Sequence, residues 1–242
     1  MLAKLILVCL LYLLPILSFA QDDAFTLESI LQRFTKAYGG FRDVDALSSL
    51  SVEGTILQNG RTFDFLMRKK RPHSMRYRLS YESNSIITGY DGSQGWIRTK
   101  NNQEVSIDLL DDEARRKIRH QSRFDSPLFY HLQKRESQIE LIERIILDER
   151  SVLVLEVIEY DSEASRYYLD FETAHIVRVD YLDADGEVSI QTLYRDYRVV
   201  EGFPFAFEIE TRVKGETKSL AKVNSIDVNL GIFSVYFAKP KN

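Results

Sequence analysis

Ser93 lies in the stretch Tyr90-Asp91-Gly92-Ser93-Gln94-Gly95-Trp96, where a hydroxyl among glycines with an aspartate nearby has the makings of a nucleophile. A hydrolase elbow reads G-x-S-x-G and joins a strand to a helix, so that a tight turn lifts the serine clear of the sheet. Here Asp91 stands where the first glycine belongs, and the residues that follow, Trp96-Ile97-Arg98-Thr99, read as a strand. The stretch therefore predicts a hairpin turned by Asp91-Gly92, with Gly95 easing the return and Ser93 without an activating partner.

Other catalytic and cofactor patterns fail in the same way. The chain has neither the phosphate loop G-x-x-x-x-G-K-[ST] nor a G-x-G-x-x-G fingerprint ahead of a helix, so no cofactor is expected. His73, His120, His131 and His175 are scattered, with no H-x-x-x-H or H-E-x-x-H pair to place two imidazoles on one helix face. Asp183-Ala184-Asp185-Gly186 has the look of a calcium loop, but Tyr181 and Thr192 fall at its first and twelfth positions and cannot supply the carboxylates. It reads as a hairpin tip. The remaining carboxylates fall mainly on the polar faces of strands. No catalytic residue and no metal site is expected, and the reading is of a protein that is not an enzyme.

The first twenty residues combine Lys4, the apolar run Leu5–Phe19 and small residues Ser18 and Ala20 before Gln21 and the acidic Asp22-Asp23, the pattern of a cleaved secretory signal. Cys9, the only cysteine, follows Val8 in the middle of the apolar run, which is not the context of a lipid-attachment site. Cleavage leaves residues 21–242 as one domain without cysteine, and removal of Lys4 takes the net charge from −4 to −5. An exported acidic chain is a poor partner for nucleic acid, and without disulfides it must be held by its core alone.

Periodicity supplies the elements. Thr26 is a plausible helix cap before Leu27, Ile30, Leu31 and Phe34, and Gly39-Gly40 is a stop. After Val44 the period drops to two. Phe63, Phe65 and Met67 alternate with polar residues, as do Met75, Tyr77, Leu79 and Tyr81, and Phe205, Phe207 and Ile209. Turn signals at Asn59-Gly60, Asp91-Gly92, Asp185-Gly186, Glu201-Gly202 and Lys214-Gly215 separate about a dozen short strands. Residues 108–132 interrupt them with a helical pattern. Leu110, Ala114 and Ile118 make only a thin apolar stripe there, which predicts a surface segment, and Ser126-Pro127 can start a second short helix. One large antiparallel sheet with a single apolar face must curl, because twist accumulates, and the helices are left to plug its concave side.

Two basic runs remain, Arg68-Lys69-Lys70-Arg71 at a strand end and Arg115-Arg116-Lys117 with Arg119 on the helical segment. They fit a solvated edge that resists strand pairing, or a transient contact with a membrane surface or an acidic partner.

Four stretches, taken in order, resemble the periplasmic LolA/LolB-type carriers and the wider outer-membrane lipoprotein-sorting proteins. They are Lys70–Arg78 with Tyr90–Trp96 downstream, Asp125–Leu132, Tyr167–Asp180, and Tyr194–Ile209 followed by Phe237 and Pro240. The resemblance implies a mainly β (α+β) fold: a strongly curved antiparallel half-barrel of about eleven strands, with residues 108–132 as a helical lid over the concave face. It also implies a periplasmic location, an acylated lipoprotein or lipid as ligand, and envelope proteins as donor and acceptor. The expected cavity residues are Phe63, Phe65, Met67, Met75, Tyr77, Leu79, Tyr81, Tyr90, Trp96, Leu110 and Ile118, with Tyr90 and Trp96 at the cavity wall or rim. Two other classes stay open: a non-catalytic structural or interaction subunit of an envelope complex on the same fold, and an enzyme acting on an apolar substrate.

Overall fold

A computed structural model describes residues 26–40, 45–124, 126–134, 137–159 and 163–241. The expected signal segment, 1–20, lies outside the described residues. Helix α1 (Leu27–Ala37) begins where its cap predicts: the Thr26 side chain accepts from the Ser29 N–H at 3.2 Å, and Gly39 and Gly40 both take positive φ beyond its end.

Thirteen strands follow, against the expected eleven or so: β1 (Ser49–Gln58), β2 (Arg61–Lys70), β3 (Ser74–Tyr81), β4 (Asn84–Tyr90), β5 (Gly95–Asn101), β6 (Glu104–Leu109), β7 (Ser137–Leu147), β8 (Arg150–Glu159), β9 (Ser165–Asp170), β10 (Ile176–Leu182), β11 (Val188–Val200), β12 (Phe203–Val213) and β13 (Glu216–Val228). Between β6 and β7 come α2 (Asp112–Gln121) and α3 (Pro127–Lys134). The helical pattern expected over 108–132 is thus shorter at its start, because β6 runs on to Leu109 before Asp111 caps α2. The second start is as expected: Ser126 Oγ accepts from the Leu128 N–H at 3.3 Å, and Pro127 is the first helical residue.

All thirteen strands form one antiparallel sheet in the order β6-β5-β4-β3-β2-β1-β13-β12-β11-β10-β9-β8-β7. Apart from β6 and β7, each strand pairs with its sequence neighbours; β1 closes on β13 in the middle, and β6 and β7 are the two open edges. The chain passes from one edge to the other through α2 and α3. A flat sheet of this width would span about 58 Å, whereas the two helices reach only about 15 and 12 Å. The sheet is curved and open, and the crossover lies over its concave side.

The two faces differ in chemistry. Val52, Phe65, Leu155, Leu169, Val179, Phe207 and Val223 point inward from strands of both halves into one core, closed by Ile30, Leu31 and Phe34 of α1 and by Leu128 and Phe129 of α3. The Phe34 and Phe129 rings meet edge to face at 6.0 Å. Gly54 is required here: a Cβ would lie 2.8 Å from the Phe65 ring and closer still to the Lys222 carbonyl. On the convex side of β8–β12 the charges pair both along and across strands. Arg166 meets Glu156, Arg178 forks onto the fully buried Asp180, and Arg195 and Arg212 both reach Glu210. Hydrogen bonds from Arg212, and also from Thr217 and Arg195, hold the Glu210 carboxylate down to about 2, against a burial cost in the other direction.

A carboxylate whose folded value is depressed stabilises the fold above its unfolded value of 4.5 and loses that contribution as pH falls towards 2. Glu210→Gln is expected to cost up to about 3 kcal/mol at neutral pH, and urea titrations should show the gap to wild type closing between pH 4.5 and 2.

Candidate functional site: a lidded cavity on the concave face

The helices do not cover the inner face evenly. α1 and α3 pack together and fill the part next to β7–β9, whereas α2 rides over β4 and β5 and inserts Ile118. Between them a cavity of about 640 Å³ stays open. Met67 and Lys69 of β2, Met75 and Tyr77 of β3 and Thr88 of β4 form one wall. Tyr167, Ile176, Val179, Tyr181, Tyr194 and Ile209 of β9–β12 form the other. Ile118, His120, Gln121, Arg123 and Phe124 of the lid segment close the top, with Glu159 at the end of β8.

The walls are apolar with a few hydroxyls. Burial raises the phenol of Tyr77 above its ordinary range, and likewise Tyr167, Tyr181 and Tyr194, which neighbouring phenols or the Glu159 carboxylate push further. These side chains are neutral at physiological pH and offer O–H donors without charge. Deeper towards α1, the Tyr197 hydroxyl donates to the Ile176 carbonyl at 2.6 Å while its ring stacks on His175 at 4.4 Å.

The lid is fastened to both halves of the sheet at one short loop. Arg123 Nη1 lies 2.5 Å from Glu159 Oε1, and His120 Nδ1 is 3.9 Å from the other oxygen of the same carboxylate. From the opposite wall Lys69 Nζ donates to the Arg123 carbonyl at 3.0 Å, and the Arg71 guanidinium sits 5.0 Å over the Phe124 ring. Residues 120–124 therefore bridge β2 and β8 across the cavity mouth. The pair is half exposed on the arginine side, so it holds the lid with about 1 kcal/mol at most.

The eleven residues expected to line a cavity are distributed as follows. Met67, Met75, Tyr77 and Ile118 line it, and Tyr90 and Leu110 pack behind Met75 and Ile118. Phe63, Leu79 and Tyr81 line a separate depression of about 290 Å³ at the hairpin end of β2–β5. Phe65 belongs to the central core and stacks on Tyr77 at 6.1 Å. Trp96 is a correction. It is fully buried, but on the convex face, where its indole N–H donates to the Phe237 carbonyl at 2.8 Å. Tyr90 pairs with Gly95, so Trp96, one residue on, must point the other way; it pairs with Gly89, whose missing Cβ makes room for the indole. The hairpin itself is as expected: Asp91 Oδ1 accepts from the N–H groups of Ser93 and Gln94, and Ser93 is exposed on its tip. The lid helix is less superficial than its thin stripe suggested, since Ile118 is buried. The wall supplied by Tyr167, Tyr181, Tyr194, Ile176, Val179 and Ile209 was not foreseen. Its signal is the alternation in Tyr167–Leu169 and Val179–Tyr181, which gives no hint of which aromatics meet the core and which meet a void.

No family model matches the sequence, and no curated protein matches it. Solved structures do match the fold. An outer-membrane lipoprotein-sorting protein domain from Vibrio parahaemolyticus superposes with a TM-score of 0.62 at 11% identity, covering 88% of this chain and 96% of its own. A DUF1329 family protein from Desulfovibrio piger gives 0.61 at 11% identity, with 88% and 97% covered. A LolA superfamily protein from Nitrosomonas europaea gives 0.60 at 12% identity, with 88% and 98% covered. At this identity the likeness is one of fold, and the fold is the open half-barrel with helical cover that the sequence motifs implied.

Proposed function

We propose that this chain is a non-catalytic carrier in the periplasm, which encloses acyl chains of lipoproteins or lipids in the concave-face cavity and moves them across the envelope towards the outer membrane. The observation that carries the reading is the lidded cavity: about 640 Å³ of space left beneath α2, beside an inner face that α1 and α3 fill. A methylene takes about the volume of a water, roughly 30 Å³. One sixteen-carbon chain, at roughly 480 Å³, is of the same order as this space. Exposing such a chain to water costs about 13 kcal/mol, so a carrier must enclose nearly all of it. Met67 and Met75 suit a wall that adapts to different chains, because an unbranched thioether repacks readily. The weak fastening of Arg123 to Glu159 suits a lid that opens for loading. The likeness to a lipoprotein-sorting domain and to a LolA superfamily protein agrees with this reading, as does the signal-like N-terminus.

The protein purified gently from its host is expected to carry acyl lipid detectable by native mass spectrometry, and the delipidated form to take up a fluorescent fatty acid. Tyr77→Glu and Ile118→Asp should reduce uptake by about tenfold or more through a charge buried against the chain, while Glu82→Lys at the exposed β3–β4 turn should leave it unchanged. No co-purifying lipid, no dye uptake and equal thermal stability with and without lipid would instead favour a structural subunit.

Breaking the fastening gives a separate readout. Arg123→Ala is expected to speed hydrogen exchange across 112–124 and to accelerate both uptake and release of the dye. Unchanged exchange in that segment would mean that the loop is held by its other contacts.

A further inference from the structure

The convex face is two different surfaces. Of the outward arginines on β8–β12, Arg166, Arg178, Arg195 and Arg212 each have a carboxylate partner, Arg150 at the exposed start of β8 apart. On β2–β5 the pleat puts Arg68, Arg76, Arg78 and Arg98 on the same outer side, and among the described residues none of them has an ion-pair partner. Arg68 lies directly across from Arg76, and Arg78 and Arg98 flank the buried Ile87. Lys70 and Lys100 extend the patch, and Asp64 is the one carboxylate on the outer side of these strands. Like charges packed this closely repel, and the arginine at the centre, Arg76, is also half desolvated, which makes it easier than usual to deprotonate. An arrangement of this kind is relieved when an anion arrives.

The second observation is apolar. After β13 the chain runs back over this patch and is pinned there. Lys70 Nζ donates to the Ile232 carbonyl at 2.7 Å, Arg76 to the Tyr236 carbonyl at 2.9 Å and Trp96 to the Phe237 carbonyl at 2.8 Å. The pinned turn points Phe233 and Val235 into solvent, 80% and 78% exposed. Leu109, on the neighbouring edge strand and the same outer face, is 54% exposed. Two large apolar side chains held out by a fixed backbone, beside unneutralised arginines, match an interface with headgroups below and acyl boundary beyond them. A soluble acidic peptide would account for the arginines but gives no reason for Phe233 and Val235 to project.

We propose that the convex face of β2–β5, with the pinned C-terminal turn, docks on an anionic phospholipid surface, Arg78 and Arg98 contacting phosphates and Phe233 and Val235 entering the headgroup layer. The face lies on the opposite side of the sheet from the cavity, so docking and acyl binding can fail separately.

The test is co-flotation of the mature chain with vesicles of phosphatidylcholine alone, or with about 30 mol % phosphatidylglycerol. Binding is expected only to the anionic vesicles, and to be released by about 0.5 M NaCl. Arg78→Glu/Arg98→Glu should weaken it by about tenfold or more, and Phe233→Ser/Val235→Ser by several-fold, with circular dichroism and fatty-acid uptake unchanged. Lys218→Glu, in an exposed pair on the other half, should have no effect. Equal binding to both vesicle types, or indifference to both double substitutions, would overturn the proposal. So would binding to poly-glutamate in the absence of vesicle binding, which would mark the patch as a protein-docking site.

Discussion

The inward side chains of thirteen strands must be kept from water, and the described helices offer only 11, 10 and 8 residues to do it. Everything distinctive about the molecule follows from that shortage. An antiparallel sheet can leave one face wet, but not the face that carries Phe65, Leu155, Leu169 and Phe207. Curling brings the two halves of that face towards each other, so a small amount of helix covers more of it. The connection order makes the same demand: β6 and β7 are edges of one sheet yet are joined through α2 and α3, so the crossover must span the sheet, and a curled sheet makes the concave side the short way. Topology thus places the lid before any contact of the lid is considered.

Where the helices commit their apolar residues then decides where space remains. α1 and α3 each bring several, Ile30, Leu31 and Phe34 from one and Leu128 and Phe129 from the other, and the inner face beneath them is filled. α2 brings Ile118 as its single buried residue, and most of the rest are charged. A helix with so thin an apolar stripe cannot fill what it covers, and the cavity lies beneath it. The same poverty of contact makes it the element that can lift at least cost, since local opening free energy follows buried apolar area. A roof that packs poorly and a void beneath it have one cause.

Much of this was legible beforehand, and the exceptions are instructive. Strand boundaries, the α1 cap and the Ser126-Pro127 start depend on local rules, alternation and capping, that a single sequence displays. Trp96 failed on parity: with a turn at 91–94, Tyr90 and Gly95 face one way and Trp96 the other, so its face followed from the turn and not from its apolar character. The run Arg68-Lys69-Lys70-Arg71 read as one basic patch, but the pleat divides it. Arg68 and Lys70 face out, Lys69 reaches the lid loop, and Arg71 covers Phe124. The tyrosine wall of β9–β11 depends on which strands end up opposite β2–β4 across the curl, a distance in space that no spacing in the chain encodes.

The convex face completes the argument, because it shows the same sheet solving one problem twice. Most outward charges of β8–β12 neutralise one another along or across strands, and even Asp180, fully buried, is satisfied by Arg178 of its own strand and Gln191 of the next. Gly89, between Arg76 and Trp96, has no room for a side chain, but nothing in strand geometry prevented an acid at Arg68, opposite Arg76, or at Ile87, between Arg78 and Arg98. The repulsion left on β2–β5 is therefore a property of side-chain choice and not a consequence of the fold. Cross-strand like charges cost stability, and here the cost falls on the half that also carries the pinned turn with Phe233 and Val235. The half of the sheet that roofs its cavity with the loosest helix is the half whose outer side is left electrostatically unfinished.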